Sequence, residues 1–376
     1  MSCYGFMPGD VCYKFRLDTL ISNPNTSQSD VWLATDQATE TRVALKLIEA
    51  GSDPNNSLIL LYEAKVGAKL KHANLCEVIG ADIFEIERSS LAGSSKRRFV
   101  AIGFQYQPRG TCANIIKGPG MMPVYDLHRL LLNVLCGLEY LHELGWRHND
   151  IKPANILIGP HGEYMLTDYG ISWTPSQGNP TAGCYVPYIT PESILTDGTN
   201  YDMKHTPTVQ SDLYQLGVTA FRLLNGVGLI RDDFNKYQQA LNPMEFLRRV
   251  KIGELPSRTG YDPSVPYNIR HIINKALSPD PLNRYISALE MRRALEKLSF
   301  PHQWICDPTG IMHCTKKGAD YQIEESSQGG TFNVCLIKRN VNSGKVIRPS
   351  KDIKKSLTRS QANSHRQKIM QEVMKP

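Results

Sequence analysis

The hydrophobic pattern of this 376-residue sequence changes its period near residue 125. Before that point, short apolar runs are separated by turn-forming residues, as in ISNPNTSQSDVWLA and ETRVALKLI, a pattern typical of antiparallel strands. One helical segment, SLILLYEAKVGAKLKH, follows these runs. Beyond residue 125, apolar residues recur at helical spacing, beginning with YDLHRLLLNVLCGLEYLHEL. The sequence therefore predicts an α+β chain in which a sheet precedes a set of helices.

Composition indicates a globular protein inside a cell. Hydrophobic residues make up 41% and charged residues 21% of the chain, and no run of about 18 apolar residues predicts a membrane span. The first residues, MSCYGFMPGD, lack the basic and apolar segments of a secretory signal. Nine cysteines without a CxxC pair indicate free thiols in a reducing compartment. We therefore expect a cytoplasmic or nuclear location, or both.

Changes in pattern also predict the domain limits. A Pro- and Gly-containing stretch, QPRGT, separates the sheet part from the helical part. After residue 300 the helical period fades, and two strand-like pieces appear, ADYQIEE and TFNVCLIK. The predicted segments are an N-terminal segment at 1–12, a main domain at 13–298 divided into 13–107 and 108–298, an extension at 299–338, and a basic, flexible tail at 339–376.

The tail carries most of the net charge. From Lys338 to Pro376, eleven Lys and Arg residues face two acidic residues, whereas the whole chain has a formal charge of +7. Such a segment is typical of contacts with nucleic acid, an anionic membrane or an acidic protein, of nuclear import, or of a solvated tail without a ligand. It lacks the interleaved aromatic residues that stack on bases. A last helix near SHRQKIMQEVM is compatible with its apolar spacing.

A second cluster near the C-terminus contains possible zinc ligands. His302, Cys306, His313 and Cys314 lie within thirteen residues of one another. Their spacing fits none of the usual zinc patterns, so buried thiols and surface imidazoles are the preferred interpretation.

The stretch RHNDIKPANIL, from Arg147 to Leu157, combines three groups that phosphoryl transfer requires. The Asp150 carboxylate is suited to orient an acceptor hydroxyl or accept its proton, and the Lys152 ammonium to neutralise the transferred group. The amide oxygen of Asn155 is a donor that Mg²⁺ accepts.

Two other motifs complete this set of groups. LTDYGIS supplies Asp168 as a hard oxygen ligand for Mg²⁺, thirteen residues after Asn155. VALK places Lys46 at the end of a predicted strand, where its ammonium reaches nucleotide phosphates. Glu63, on the helix that follows, is positioned to form an ion pair with Lys46. Each motif alone is weak, but the three in this order indicate a nucleotide-dependent phosphoryl transfer site.

With these motifs the sequence resembles the eukaryotic-type protein kinase superfamily over about residues 13–298. Three further motifs carry the resemblance: YITPE with Glu192, SDLYQLG with Asp212, and PDPLNRY with Arg284. The resemblance implies a bilobal fold, with an N-terminal antiparallel sheet lobe that holds one main helix and a larger helical C-terminal lobe. It also implies that ATP and Mg²⁺ bind between the lobes and that the substrate is a protein.

The resemblance assigns the remaining nucleotide contacts. Val31 and Ala44 would contact the nucleotide from the sheet, Phe104 would lie near the gatekeeper position, and Gln105, Tyr106 and Gln107 would form the hinge beside adenine. A lysine two residues after the catalytic aspartate is typical of the serine/threonine enzymes of this superfamily. Lys152 therefore favours transfer to Ser and Thr hydroxyls.

Two departures leave an alternative open. No glycine lies between Ile21 and Trp32, where the family's nucleotide loop is glycine-rich so that backbone amides approach phosphate. This favours a second hypothesis, a pseudokinase scaffold or regulatory binding module with weak or no catalysis. Asn149 replaces the arginine that in many relatives pairs with a phosphorylated activation segment, so partner-controlled or constitutive activity is expected.

Overall fold

The computed structural model describes residues 2–22, 29–50, 61–90, 93–115, 122–168, 186–197, 201–204, 207–225, 243–261, 265–298, 300, 304–306 and 311–374. Within these residues the fold is a mixed α+β one, as the sequence pattern predicts. It comprises a first sheet (the sheet region, residues 11–105), a mainly helical part (the helical region, residues 112–296) and a second sheet with one long helix (the C-terminal sheet region, residues 304–374).

The sheet region contains six antiparallel strands in the order β1-β2-β3-β4-β6-β5. Their bounds are β1 Val11–Cys12, β2 Phe15–Leu20, β3 Asp30–Asp36, β4 Arg42–Glu49, β5 Val78–Ser90 and β6 Gly93–Gln105. Helix α1, Tyr62–Gly67, lies between β4 and β5 in the chain. This arrangement agrees with the predicted series of short strands interrupted by a helix.

The register of these strands separates two faces. Val31 lies opposite Lys46 across β3 and β4, and Ala44 lies opposite Phe104 across β4 and β6. Directly opposed residues point to the same side of a sheet, and alternate residues return to that side. Val31, Ala44, Lys46 and Phe104 therefore share one face, which is the face that the candidate site uses.

The other face of this sheet is covered by the N-terminal segment. Trp32, Leu45 and Phe99 form an apolar cluster there, and all three are buried. Phe6 adds its ring to the cluster, with its centroid 5.2 Å from that of Phe99. The backbone N–H of Cys3 donates to the Asp30 carboxylate at 2.9 Å, next to the start of β3. The segment of residues 3–6 is thus packed against the outer face of the first sheet.

The helical region consists of six α-helices and two small hairpins within the described residues. The helices are α2 Cys112–Ile115, α3 Val124–Glu143, α4 Val209–Asn225, α5 Pro243–Lys251, α6 Tyr267–Ala276 and α7 Ala288–Glu296. The hairpins pair β7 Ile156–Ile158 with β8 Tyr164–Leu166, and β9 Ile194–Thr196 with β10 Tyr201–Met203. Helix α3 packs one apolar face against α4 and α7, and α4 is buried along almost its whole length.

The C-terminal sheet region forms a second antiparallel sheet. Its strands are β11 Ile305–Cys306, β12 Met312–Lys316, β13 Ala319–Gln328, β14 Thr331–Asn340, β15 Val346–Ile347 and β16 Ile353–Leu357, and helix α8, Arg359–Met374, follows them. β15 and β16 both pair with β14. The two strands predicted from ADYQIEE and TFNVCLIK are confirmed as β13 and β14.

The expectation of a flexible tail after residue 339 is wrong for the residues that the structure describes there. Helix α8 turns Ile369 and Met370 towards Val334 and Leu336 of β14, and these four side chains are buried in one cluster. The helix predicted near SHRQKIMQEVM is therefore confirmed. The basic composition concealed this core because its few apolar residues are far apart in the chain and meet only across the sheet.

Two sequence expectations concern features that the described residues do not contain. None of the described helices combines the length and hydrophobicity that a membrane span needs. No group of three or more His, Cys, Asp or Glu side chains gathers as a metal site within the described part of the chain. Of the four zinc-ligand candidates, His302 and the Cys306 side chain lie outside that part, and Cys314 is buried in the C-terminal sheet region.

Candidate active site

The loop from Arg147 to Asn155 is anchored by one carboxylate of helix α4. Asp212 is fully buried, and its two oxygens accept the backbone N–H groups of Asn149 at 2.8 Å and His148 at 2.9 Å. Nε2 of His142 lies 2.8 Å from the same carboxylate. Burial alone would raise the pKa of Asp212, but these donors outweigh it and hold the pKa below its usual value. The carboxylate thus stays ionised and fixes the backbone of the loop.

Two further side chains of α4 extend this anchor. Gln215 accepts the backbone N–H of Ile151 and donates to the carbonyl of Asn149, both at 3.0 Å. Thr219 donates to the Ile151 carbonyl at 2.8 Å. Residues 212, 215 and 219 lie on one side of the helix because they are separated by about one and two turns. The sequence interpretation found Asp212 but missed Gln215 and Thr219, although polar residues at helical spacing in an otherwise apolar helix were a usable signal.

The anchored loop presents three reactive groups close together. Oδ2 of Asp150 accepts hydrogen bonds from Lys152 Nζ and from Asn155 Nδ2, each at 2.7 Å. Nδ2 of Asn155 also donates to the Asp150 carbonyl at 3.0 Å. Asn155 ends a short 3₁₀ helix, Pro153–Asn155, that follows the loop. With its amide nitrogen committed to Asp150, the amide oxygen of Asn155 is left as the group that can bind a metal ion.

A fourth group reaches this loop from the sheet region. Lys46 Nζ on β4 lies 2.8 Å from Oδ1 of Asp168, a residue 122 positions later in the chain. Asp168 has a φ of +69°, a left-handed conformation that Asp tolerates better than most residues. Burial opposes ionisation of its carboxyl, but the Lys46 ammonium, with Lys152 nearby, holds the pKa of Asp168 well below its usual range. Asp168 is thereby kept as a carboxylate, the form that binds a divalent cation.

The neighbouring face of the sheet carries the predicted nucleotide contacts. Val31 and Ala44 are on the same face as Lys46, by the register described above. Gln105 ends β6, and its backbone N–H donates to the Glu77 carbonyl at 3.0 Å. Tyr106 and Gln107 follow outside the strand, and the Arg42 guanidinium lies 5.3 Å from the ring centroid of Tyr106. Val31 and Ala44 thus share the face of Lys46, and Gln105 lies opposite Val43 at the other end of β4. Contacts of these five residues with a nucleotide stay a prediction.

Some predicted site residues lie outside the described part of the chain. Glu63 belongs to helix α1, but its side chain is not among those described, so its ion pair with Lys46 stays a prediction. The glycine-free loop is described only up to residue 22 and from residue 29 onwards. Residues 169–185, which include most of the segment between Asp168 and Glu192 to which the expectation about Asn149 refers, also lie outside the described part.

An ion pair connects the 3₁₀ turn Pro191–Ser193, just before β9, to the segment between helices α6 and α7. Arg284 donates to both carboxylate oxygens of Glu192, at 2.9 and 2.7 Å. Its side chain is fully buried, lies 4.6 Å from the Tyr214 ring centroid and donates to the carbonyls of Ser278, Pro279 and Gln210. Two of the motifs that carry the resemblance, YITPE and PDPLNRY, thus meet in this ion pair.

Comparisons with known proteins agree with this geometry. Residues 26–296 match the family described as the protein kinase domain. The serine/threonine-protein kinase PrkC of Bacillus subtilis is 27% identical over 274 residues, which is 70% of this chain and 37% of that protein. The serine/threonine-protein kinase PknA of Mycobacterium tuberculosis is 27% identical over 281 residues, which is 73% of this chain and 58% of that protein.

The chain therefore spans between about a third and about three fifths of the length of these relatives. The family match covers most of the 376 residues and includes every residue of the anchored loop, of the Lys46–Asp168 pair and of the Glu192–Arg284 pair. These findings confirm the resemblance drawn from the sequence motifs: the chain belongs to the protein kinase domain family.

Proposed function

We propose that this chain transfers the γ-phosphoryl group of ATP to Ser and Thr hydroxyls of protein substrates. One observation carries the proposal, the 2.8 Å contact between Lys46 and Asp168, which brings a phosphate-binding cation to a metal-binding carboxylate beside the loop of Asp150. The names of the relatives, both serine/threonine-protein kinases, support the substrate class. Lys152, two residues after Asp150, supports the same class.

In this proposal Asn155 and Asp168 hold Mg²⁺. Both offer hard oxygen donors, and Asp168 is ionised because its carboxyl pKa is held low. The bound ion would neutralise charge on the nucleotide phosphates. Lys46 would contact the nucleotide phosphates, and its ion pair with Asp168 would keep that carboxylate oriented. Glu63 is proposed to fix Lys46 in turn.

Asp150 and Lys152 are proposed to act on the acceptor. Oδ2 of Asp150 is occupied by Lys152 and Asn155, so Oδ1 is left to accept the hydrogen bond of the incoming hydroxyl and then its proton. Lys152 would shift its ammonium from Asp150 to the transferred phosphoryl group as negative charge develops there. The backbone bonds to Asp212 hold both residues in position and cost no reorganisation during the transfer.

We further propose that the sheet region and the helical region are the two lobes of the kinase, divided near residues 107–108, with ATP between them. Val31, Ala44 and the hinge at Gln105, Tyr106 and Gln107 would contact adenine and ribose from the sheet side. The same proposal includes the domain limits at 13–298 and 299–338 and a cytoplasmic or nuclear location. Free cysteines support the location, and seven of them are present as thiols in the described residues.

Phosphate transfer by the purified chain tests the proposal. With radiolabelled ATP, Mg²⁺ and a protein substrate rich in Ser and Thr, label should appear on Ser or Thr and should fall by at least about 100-fold in Lys46→Met. Lys65→Met, which removes an exposed lysine of helix α1, is the matched control and should keep wild-type transfer. A rise in melting temperature with ATP but no transfer by the wild-type chain would instead support the pseudokinase alternative.

A further inference from the structure

The most basic part of the C-terminal sheet region is an ordered hairpin. It comprises residues 338–348, KRNVNSGKVIR, and is called the β14–β15 hairpin here. It contains four cations, Lys338, Arg339, Lys345 and Arg348, and no acidic residue. Its charge therefore attracts an anionic surface and has no compensation within the hairpin itself.

The tip of this hairpin exposes apolar side chains among those cations. Every residue from 341 to 348 is exposed. Val341 is 54% exposed, Ile347 45% and Val346 42%, although β-branched apolar residues usually avoid water. Three such side chains lie within seven positions at the tip, with Val346 and Ile347 on its two faces, whereas single exposed apolar residues are common on any surface.

The hairpin's backbone is preformed. The N–H of Asn340 donates to the Lys345 carbonyl at 2.9 Å, and the Asn340 side chain accepts the N–H groups of Asn342 and Ser343 at 3.0 and 2.8 Å. The N–H of Val341 donates to the Gly318 carbonyl at 2.9 Å, which ties the tip to the turn between β12 and β13. A ligand that binds this tip need not pay for ordering the backbone.

The register pairs each apolar strand residue with a cation. Ile347 lies opposite Lys338, and Val346 lies opposite Arg339, so both faces of the hairpin combine an apolar side chain with a positive charge. The neighbouring turn adds Lys317, which is exposed. One acidic residue, Asp320 of β13, lies opposite Arg339 in the register of β13 and β14. Its carboxylate accepts a hydrogen bond from the Thr315 hydroxyl at 2.8 Å.

From this arrangement we infer that the β14–β15 hairpin docks on an anionic lipid surface, with Val341, Val346 and Ile347 entering the interface and the cations contacting lipid head groups. Apolar side chains flanked by cations match the two layers of such a surface, an apolar interior beneath negative head groups. Single-stranded nucleic acid would instead be matched by aromatic residues that stack on bases, and residues 338–348 contain none. The hairpin would bring the kinase region to a membrane surface.

Vesicle co-sedimentation of the full chain tests this inference. We expect binding to vesicles that contain phosphatidylserine, weaker binding as salt rises, and little binding to phosphatidylcholine alone. The pair Arg339→Gln with Lys345→Gln should weaken binding about 25-fold, which is about fivefold for each cation near the surface. The pair Val346→Asn with Ile347→Asn should weaken it at least about tenfold.

Matched controls come from exposed residues elsewhere in the chain. Lys355→Gln on β16 removes a cation and Leu282→Asn removes an apolar side chain that is 89% exposed, and neither should change vesicle binding. Thermal unfolding should be the same for all variants, because each substituted side chain is exposed. The inference is overturned if phosphatidylserine vesicles fail to bind. Poly(U), a single-stranded RNA, serves as a second anionic probe. The inference is also overturned if the Val346→Asn and Ile347→Asn pair keeps wild-type binding both to vesicles and to poly(U), because charge alone would then explain binding.

Discussion

Asp168 and Asp212 both lie beside the candidate catalytic loop, yet their surroundings differ. Asp212 is fully buried, and three N–H donors from His142, His148 and Asn149 occupy its two oxygens. The side chain of Asp168 is 38% exposed and makes its close ion pair with Lys46. Both carboxyl pKa values lie below their usual range. The cause is a set of buried donors for Asp212 and the Lys46 ammonium group for Asp168.

This difference separates two roles within one site. A carboxylate whose oxygens are saturated by the protein stabilises the fold and orients the loop, but has no capacity left for a metal ion. A partly exposed carboxylate with one cationic partner retains an oxygen for a ligand. We therefore expect substitutions around Asp212 to affect folding first, and substitutions around Asp168 to affect phosphoryl transfer alone.

The largest effect on stability is expected from Asp212→Ala. The substitution leaves two backbone N–H groups and His142 without their buried acceptor, which should lower the free energy of unfolding by about 3–5 kcal/mol. Urea unfolding followed by circular dichroism measures it. Asp280→Ala is the control, because Asp280 caps a short exposed 3₁₀ helix and its loss should cost only about 1 kcal/mol. Equal losses of unfolding free energy in the two variants would remove the distinction between the buried Asp212 and the exposed Asp280.

The next effect concerns Arg284. Lysine in its place cannot form the bidentate contact with Glu192 or donate to three carbonyls, so Arg284→Lys should lower the free energy of unfolding by about 2–3 kcal/mol. Arg248→Lys is the matched control, since Arg248 forms a similar two-point contact with Glu245 on an exposed helix surface. Its urea midpoint should not move. An equal shift of the urea midpoint in Arg284→Lys and Arg248→Lys would show that the burial of Arg284 is unimportant for stability.

The next prediction concerns how the free energy of unfolding depends on pH through the buried imidazole of His148, a residue bound to Asp212. Burial lowers the pKa of this imidazole below its usual value of about 6.5 despite the nearby carboxylates. The unfolded chain therefore takes up a proton before the folded chain does, so stability is complete above about pH 6.5 and falls as the pH decreases below it.

We expect His148→Gln to reduce the slope of the free energy of unfolding against pH by up to about 1.4 kcal/mol per pH unit. Urea titrations at several values between neutral and mildly acidic pH measure it. His161→Gln, at an exposed position, should leave the slope unchanged. A wild-type slope that persists in His148→Gln would contradict the role of the buried imidazole.

The smallest effect is expected at Thr219. Thr219→Val keeps the shape of the side chain but removes the donor to the Ile151 carbonyl, which should cost about 1–2 kcal/mol. The exposed Thr315, whose hydroxyl donates to Asp320, offers the control Thr315→Val, with a change within about 0.5 kcal/mol. If thermal melts place both variants at the wild-type temperature, Thr219 does not contribute to the anchor.

Much of the candidate site could be predicted because its groups lie in short contiguous motifs. Asp150, Lys152 and Asn155 are within six positions of one another, so their contacts follow from local chain geometry. The Lys46–Asp168 contact spans 122 positions and was not predicted, because the sequence motifs placed both residues in one site but paired Lys46 with Glu63. Gln215 and Thr219 were missed because their partners are backbone groups of another element, which a sequence pattern does not identify.

The fold was predicted well where the apolar period is long, as in helix α3, and poorly where core residues are isolated. Phe6 joins the cluster on the outer face of the first sheet from a segment too short to show a period. The last two strands, β15 and β16, are short and lie in a segment rich in Lys and Arg, so composition suggested a flexible tail. Their order comes from pairing with β14 and from the packing of helix α8, which are contacts between distant residues.

The most direct test of the central claim measures transfer and stability together in Asp168→Ala. We predict that phosphate transfer from ATP with Mg²⁺ falls by at least about 1000-fold, while the free energy of unfolding changes by no more than about 1 kcal/mol. Transfer within tenfold of the wild-type rate would contradict the assignment of Asp168 as a metal-binding group. A loss of stability as large as that of Asp212→Ala would show instead that Asp168 holds the fold together.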